Sequence, residues 1–122
     1  MSDYNPRTRY EHYYVRQARL EGRDELQHRY PDDFYVKPFR IAGNVYYIGN
    51  KAVCSHLIDT GAGLIVIDTS YPELDHLLIN SIWEAGFNPK DIKIVLHTHL
   101  HYDHFGATNT LTKIYGAKAY VG

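Results

Sequence analysis

The chain carries the stretch IKIVLHTHLHYDH at residues 92–104. Its first part, Ile92–Leu96, has a continuous apolar core and is typical of a strand buried in a sheet. The last six residues, His99–His104, contain three imidazoles and one carboxylate. Imidazole nitrogen and carboxylate oxygen are ligands that hold zinc and similar divalent ions. The stretch therefore predicts a metal site just beyond the carboxyl end of a buried strand, where ligands bind in sheets covered by helices.

The spacing of these ligands indicates two metal ions rather than one. His99 and His101 can point the same way, because side chains two apart on an extended chain share a face. Asp103 and His104 come next, where the chain must turn, so they can approach from another direction. Zinc is the expected metal, and iron or manganese suits the same ligands. Because a metal lowers the pKa of bound water to near neutral, the expected chemistry is hydrolysis.

Apolar runs separated by turn residues predict five strands along the chain. The run Leu64–Ile67 is continuously apolar, as expected for a strand covered on both faces. Residues 60–63 have the composition of a hairpin connection. A meander followed by strand–helix–strand–helix–strand predicts an α+β fold, a mixed sheet with helices packed on it. The predicted strands are Asn44–Ile48, Val53–Asp59, Leu64–Asp68, Ile92–Leu96 and Lys118–Val121.

Two helices are predicted from caps and apolar periodicity. The first begins at Ser70, which can cap the free amides while Glu73 reaches back in a capping box, and Pro72 suits its first turn. Gly86 supplies its end. A second, short helix comes after the histidine stretch and ends at Gly116. The apolar faces of the two helices are formed by Leu74, Leu77, Leu78, Ile82 and Ala85, and by Ala107, Leu111 and Ile114.

Length and composition indicate one ordinary globular domain. The chain has 122 residues, and its 13 basic and 14 acidic residues give a net charge of -1, so there is no electrostatic case for a nucleic-acid partner. Residues 1–34 form a polar, Tyr-rich leader, and residues 35–122 form the domain. The leader lacks the apolar stretch of a secretory signal, and no apolar run is long enough to span a membrane, so a cytoplasmic protein is expected. Cys54, the only cysteine, is expected to be a small buried filler.

The motif at His99–His104, the preceding residues 92–98 and the earlier run Leu64–Thr69 resemble the metallo-β-lactamase superfamily. The resemblance extends from about Phe39 to Gly122. It implies an αββα sandwich, in which two mixed sheets, built from two similar halves, lie between helices. The sequence is expected to form the N-terminal half of that sandwich.

The resemblance also implies a role for each candidate site residue. By it, His99 and His101 would bind the first metal, and Asp103 and His104 would bind the second. Asp103 would also hold the bridging hydroxide, which makes it the candidate catalytic residue. Asp68 matches a strand-end aspartate that is not a ligand but supports the site by hydrogen bonding. Because it carries both Asp103 and His104, the motif is similar to that of lactonases, glyoxalase-type thioesterases and the third subclass of β-lactamases.

The chain departs from this family in the residues after the motif. Beyond His104 there is no further His, Asp, Glu or Cys, so the sequence supplies only half of the expected ligands. This leaves two hypotheses. The first is a metal-dependent hydrolase that uses a metal-bridging hydroxide to open an ester, thioester, lactone or amide of a small molecule. The second is a catalytically incomplete fragment, inactive alone, that needs a second half or a partner chain and associates with itself through an exposed sheet surface. A nuclease of the same family is less favoured, because the charge is nearly balanced.

Four further aromatic side chains have two interpretations each. His97 is more consistent with a strand residue packed under the site than with a fifth ligand. His56 could line the substrate cleft or be simply buried, and Tyr102 could contact substrate or only pack. His76 lies away from the leucine stripe of its helix, which favours a solvated position.

Overall fold

The computed structural model describes residues 30–98 and 106–121. The ligand cluster His99–His104, with Tyr102 inside it, lies outside the described residues, as does the leader up to residue 29. The described part includes the strand that leads into the cluster, the segment directly after the cluster, and the loops packed against both. The frame of the site can therefore be described from the residues on either side of the cluster.

Within the described ranges, six strands form one mixed sheet in sequential order. The first four strands pair antiparallel, and the last three pair parallel. This confirms the predicted α+β arrangement, with an added first strand and a third strand that starts later than expected. The strands are β1 Phe39–Ala42, β2 Val45–Tyr47, β3 His56–Asp59, β4 Leu64–Ile67, β5 Ile92–His97 and β6 Lys118–Val121.

The segment before β3 is a turn rather than the start of a strand. The Asn50 side-chain oxygen accepts hydrogen bonds from the backbone N–H groups of Ala52 and Val53, at 2.8 and 3.0 Å. An asparagine that bonds the backbone in this way competes with strand pairing. The turn leaves Cys54 exposed, so the expectation of a buried filler at this position is wrong.

Two α-helices, α1 Asp75–Glu84 and α2 Thr108–Lys113, pack on the sheet. Short 3-10 turns lie at Pro31–Phe34, Pro72–Leu74 and Pro89–Asp91, and the second of these leads directly into α1. The predicted end of α1 is confirmed. Gly86, at φ 95°, donates to the Trp83 carbonyl, and Phe87 donates to the Ile82 carbonyl, which satisfies the last helical acceptors.

The predicted capping box at the start of α1 is wrong. Ser70 is buried at φ 65°, and its Oγ accepts a hydrogen bond of 2.7 Å from Asn50 Nδ2. The N-cap positions are Tyr71 for the 3-10 turn and Leu74 for α1, and of the described side chains none caps either start. Ser70 is held by a residue from the β2–β3 turn, a partner that local sequence rules do not consider.

One face of the sheet is covered by α1 and α2, and this is where the core lies. Leu57, Val66, Val95, Ile82 and Leu111 are each fully buried there. A smaller cluster joins Phe34 to Leu74 and Leu77. The main core consists of Ile48, Leu57, Leu64, Val66, Leu78, Ile82, Ile92, Val95, Ala107, Leu111 and Ala117.

The opposite face carries a continuous row of side chains that we call the open sheet face. Its members lie directly opposite one another across six strands, and their exposed fractions include 52% for Phe39, 38% for Leu96 and 51% for Tyr120. Ile65 and Ile67 are only half-buried. The expectation that Leu64–Ile67 is covered on both faces is therefore wrong for the residues described. The row consists of Phe39, Tyr47, His56, Ile67, Leu96 and Tyr120.

The helices in the described ranges are too short or too polar to cross a membrane.

Candidate metal centre

The end of β5 and the loop after β4 meet at one edge of the sheet. Ile67 and Leu96 are parallel partners near the two strand ends. The segment Asp68–Ser70 comes directly after the first strand, and Thr98 comes after the second, directly before the predicted ligand cluster. This is the carboxyl edge of the parallel part of the sheet, the place where the sequence predicts the site.

Asp68 connects these two strand ends. Its Oδ1 accepts a hydrogen bond of 2.9 Å from the Thr98 backbone N–H, and its Oδ2 accepts one of 2.8 Å from the Thr98 hydroxyl. Its own N–H donates to the Leu96 carbonyl at 2.8 Å. The carboxylate is 7% exposed, so these bonds are made in a medium of low dielectric, where they are strong. Asp68 thus fixes the residue immediately before His99, the position from which the sequence predicts it to support the site.

The segment Asp68–Ser70 has an unusual backbone. Asp68 and Ser70 have φ values of 60° and 65°, in the left-handed region that non-glycine residues rarely adopt. Such residues cost roughly 1–3 kcal/mol each and persist only where their surroundings hold them. The Asn50 amide holds Ser70, and the Ser55 hydroxyl donates to the Asp68 carbonyl. Backbone strain of this kind is typical of functional sites.

The chain returns to the same segment after the ligand cluster. The Gly106 N–H donates to the Ser70 carbonyl at 2.6 Å, and the Ala107 N–H donates to the Thr69 carbonyl at 3.2 Å. A Cβ at Gly106 would lie 2.1 Å from the Tyr71 carbonyl carbon. Only glycine therefore allows this approach, and both ends of the ligand cluster are attached to one short segment.

His97 lies beneath this edge, inside the protein. It is 3% exposed, on the helix-covered face of β5, which confirms the interpretation as a buried strand residue. Its Nε2 is 3.0 Å from the Thr108 hydroxyl, and its Nδ1 is 3.9 Å from Asp68 Oδ1. The ring therefore lies between the strand-end carboxylate and the first residue of α2.

His56 lies on the open sheet face, opposite Ile67 and one strand away from the Asp68 loop. It is half-buried, and its ring packs edge-on against Tyr47 at a centroid distance of 5.7 Å. Tyr47 also stacks on Phe39 at 5.3 Å. The Tyr47 hydroxyl donates to the Asn50 carbonyl at 2.6 Å. Burial raises the Tyr47 pKa to about 12, and the charge of Cys54 and a hydrogen bond with Cys54 contribute to the same shift. His56 thus belongs to an aromatic group beside the site. His76, by contrast, is half-exposed on α1, as predicted.

The donor set fits a zinc site, although its ligands lie outside the described residues. Among the residues that are described, no three His, Cys, Asp or Glu side chains converge on a point that could hold a metal. The candidate donors are the imidazoles and the carboxylate of His99–His104, which are zinc ligands by type. The positions before and after them, Thr98 and Gly106, are fixed by hydrogen bonds to Asp68 and Ser70.

Several residues of this frame carry no signal in the sequence. Asn50 reads as an ordinary turn residue, and Ser55, Thr69 and Thr108 read as small polar residues without a pattern. Each acts through a partner at least 12 positions away, so no local rule predicts it. Gly106, two positions after His104, does carry a signal, because a glycine near a site is typical of a place where one backbone approaches another closely.

Comparison with known proteins agrees with this architecture. Residues 42–122 match the metallo-beta-lactamase superfamily. The metallo-beta-lactamase GOB-18 from Elizabethkingia meningoseptica is similar at 45% identity and a TM-score of 0.69, over 71% of this chain and 32% of that one. The class B3 di-zinc metallo-beta-lactamase LRA-12 from an Alaskan soil metagenome is similar at 43% identity and a TM-score of 0.68, over 70% of this chain and 33% of that one.

A curated relative extends the likeness beyond the β-lactamases. A protein of Methanocaldococcus jannaschii named as a probable metallo-hydrolase is 42% identical over 40 residues, which are 33% of this chain and 20% of that protein. The chain thus spans about a third of the length of the solved structures and a fifth of the curated relative. On the match over residues 42–122, the chain belongs to the metallo-β-lactamase superfamily.

Proposed function

We propose that this chain carries the first ligand cluster of a metal-dependent hydrolase that opens an ester, thioester, lactone or amide bond in a small molecule. The observation that carries the proposal is the double attachment of the ligand cluster. Asp68 fixes Thr98 before it, and the Asp68–Ser70 segment binds Gly106 and Ala107 after it. Attachment at both ends favours metal binding, because it restricts where a cluster of zinc-type donors can lie.

The ligand roles match the family pattern. His99 and His101 would hold one zinc ion, and Asp103 and His104 would hold a second. Zinc bound there would supply Lewis-acid polarisation of the substrate carbonyl and a water of lowered pKa. Asp103 is the proposed catalytic residue, because a carboxylate can accept a hydrogen bond from the attacking water and so orient it. Iron or manganese suits the same donors. Zinc is favoured because LRA-12 is named as a di-zinc enzyme.

The names of the similar solved structures support the class of bond that we propose is hydrolysed. GOB-18 and LRA-12 are both named as β-lactamases, so a cyclic amide belongs in the first substrate panel. The near balance of charge, -1 over the chain, gives no support to a nucleic-acid substrate. We also propose a cytoplasmic location, and the exposed thiol of Cys54 fits such a reducing compartment.

Zinc binding by the 122-residue chain tests the metal part of the proposal. His101→Ala removes one proposed ligand and is expected to weaken zinc affinity at least about tenfold, since loss of a mere supporting residue often costs that much. His76→Ala is the matched control, because it removes a half-exposed imidazole from α1, away from the site edge. Affinities come from competition with a chromophoric chelator. Equal zinc binding by wild type and His101→Ala would contradict the proposal.

A second candidate function, that of an incomplete unit, is favoured by the open sheet face. Leu96 is 38% and Tyr120 51% exposed on a face that also carries Phe39, Tyr47, His56 and Ile67. A largely apolar face of this kind is typical of an interaction surface. On this hypothesis the chain is inactive alone, because it supplies two ligands per metal, and it requires a second half or a partner chain.

Sedimentation of the chain tests this second candidate. The wild type is expected to associate with itself through the open sheet face, and Leu96→Lys is expected to shift it toward monomer. Ile114→Lys is the matched control, since Ile114 is 72% exposed but lies just after α2, away from that face. A wild-type monomer that hydrolyses the substrate panel would contradict the second candidate.

A further inference from the structure

We propose that His97, Thr108 and Thr69 form a positioning clasp that holds together the two ends of the ligand loop, residues 99–105. The link to metal binding rests on the proposed function, whereas the link to loop geometry rests on the described residues alone. His97 is the last residue of β5, before the loop, and Thr108 is the first residue of α2, after it.

The clasp is a chain of hydrogen bonds that spans from one end of the loop to the other. His97 Nε2 is 3.0 Å from Thr108 Oγ1, and Thr108 Oγ1 is 2.9 Å from Thr69 Oγ1. Thr69 Oγ1 in turn accepts from the Ala107 N–H at 3.1 Å. The direction of the first two bonds is set by the tautomer of His97. The chain thus joins strand end, helix start and the Asp68–Ser70 segment.

Two of the three clasp residues are buried, which makes their hydrogen bonds difficult to replace. His97 is 3% exposed and Thr69 is fully buried, so neither can exchange its partner for bulk water. The surrounding face is apolar, with Val95 and Leu111 both fully buried. Burying His97 and Thr69 is costly unless they are hydrogen-bonded. Thr108, their shared partner, is half-buried, and a valine at position 108 would fill nearly the same volume. The Thr108 hydroxyl therefore contributes through its hydrogen bonds to His97 and Thr69 rather than through packing.

The clasp acts in parallel with Asp68. Asp68 fixes Thr98 from the sheet side, and its Oδ1 also lies 3.9 Å from His97 Nδ1. The imidazole thus lies between a carboxylate and a hydroxyl, and its contact with Thr108 joins the end of β5 to the start of α2. Because His97 and Thr108 lie on either side of residues 99–105 in the chain, they act as positioning residues for the proposed ligands.

Threonine 108 is the position at which to test the clasp. Thr108→Val removes the hydroxyl and keeps the shape, and Thr108→Ser keeps the hydroxyl and serves as the rescue. Thr112→Val is the matched control, because the Thr112 hydroxyl lies on the same helix but donates to the Thr108 carbonyl and not to His97. Two properties are measured for each full-length variant: amide hydrogen exchange of Gly106 and Ala107 without metal, and the affinity and visible spectrum of cobalt(II) added as a probe.

Thr108→Val is expected to accelerate exchange of both amides about fivefold or more, as for the loss of one net hydrogen bond. It is expected to weaken cobalt(II) binding about tenfold and to alter the cobalt spectrum. Thr108→Ser and Thr112→Val are expected to match wild type in both. Unchanged exchange and affinity in Thr108→Val would overturn the clasp, as would equal effects from Thr112→Val.

The two readouts also separate the clasp from the proposed function. If wild type binds no cobalt(II) but Thr108→Val still accelerates exchange, the metal function fails and the clasp stands as a loop-positioning device. If cobalt(II) binding is lost in His101→Ala, while both cobalt(II) binding and amide exchange are unaltered in Thr108→Val, the metal function stands and the clasp is overturned.

Discussion

The helix-covered face and the open sheet face are built from the same strands but are stabilised differently. On the covered face, Leu57 and Val66 are fully buried under α1 and α2. On the open face, their neighbours His56 and Ile67 are half-buried, and Leu96 is 38% exposed. Because side chains alternate along a strand, one face of the sheet forms the core under the helices, and the other face leaves apolar side chains exposed. The fold of the described chain depends on the first face, and the self-association that we propose would depend on the second.

The largest expected difference comes from leucine truncations on the two faces. Leu57→Ala should lower the free energy of unfolding by about 2–5 kcal/mol, because it leaves a cavity under the helices. Leu96→Ala should lower it by less than about 1.5 kcal/mol, because much of that side chain already contacts water. Urea denaturation of both variants measures the contrast. Equal losses would mean that the open sheet face is covered in solution.

A smaller effect is expected at the site edge, where backbone approaches backbone. Gly106→Ala should cost about 1–3 kcal/mol, since its Cβ would lie 2.1 Å from the Tyr71 carbonyl carbon and the Asp68–Ser70 segment must shift. The same shift should weaken zinc binding. Gly61→Ala is the control: Gly61 has φ 81° but open space around it, so its cost of about 1 kcal/mol is purely conformational.

Zinc affinity distinguishes the two glycine variants more sharply than stability does. Gly61 lies in the β3–β4 hairpin, at the opposite end of β4 from the Asp68–Ser70 segment, and its variant should bind zinc like wild type. Gly106→Ala should not. If both variants bind zinc equally well, the attachment of the loop to Ser70 is unimportant for the ligands.

Local rules of sequence predict the elements that depend on near neighbours. The apolar run in β5 and the glycine stop of α1 are predicted correctly, because each depends on residues within one turn or strand. The capping box is wrong because Ser70 is bound by Asn50, which lies 20 positions away. For the described residues, the double coverage of Leu64–Ile67 is wrong, because a continuous apolar run shows that both faces are apolar but does not show which elements cover them.

The candidate site also consists of a part that the local sequence predicts and a part that depends on distant residues. The donors of His99–His104 are evident from residue type and spacing, and they lie outside the described residues, so their roles stay predictions. Of their frame, Asp68 is expected from the family resemblance. Most of the other residues could not be predicted, because they act through long-range bonds between ordinary residues. Thr69 and Thr108 are 39 positions apart, and neither carries a signal of its own. The ligand types depend on a short stretch of sequence, whereas the support of those ligands depends on the whole fold.

The smallest predicted effect concerns Tyr47, which lies on the open sheet face but is partly desolvated. Burial, followed by the nearby charge of Cys54 and a hydrogen bond with it, raises the Tyr47 pKa from its ordinary value of 10.0 to about 12. Folding therefore favours the neutral phenol. This contribution to stability is fully present below pH 10 and is lost as the pH rises through about 12, because the unfolded chain ionises first.

Tyr47→Phe should therefore make the alkaline fall in unfolding free energy between pH 10 and 12 shallower, by an amount reduced through solvent screening of a half-buried group. In tyrosinate absorbance titrations, the difference between wild type and Tyr47→Phe should have its midpoint near 12. Cys54→Ala should move that midpoint only part of the way toward 10.0, because burial is the larger cause. A midpoint at 10.0 in wild type would show that water reaches the Tyr47 hydroxyl freely, and that the open sheet face is solvated up to its aromatic end.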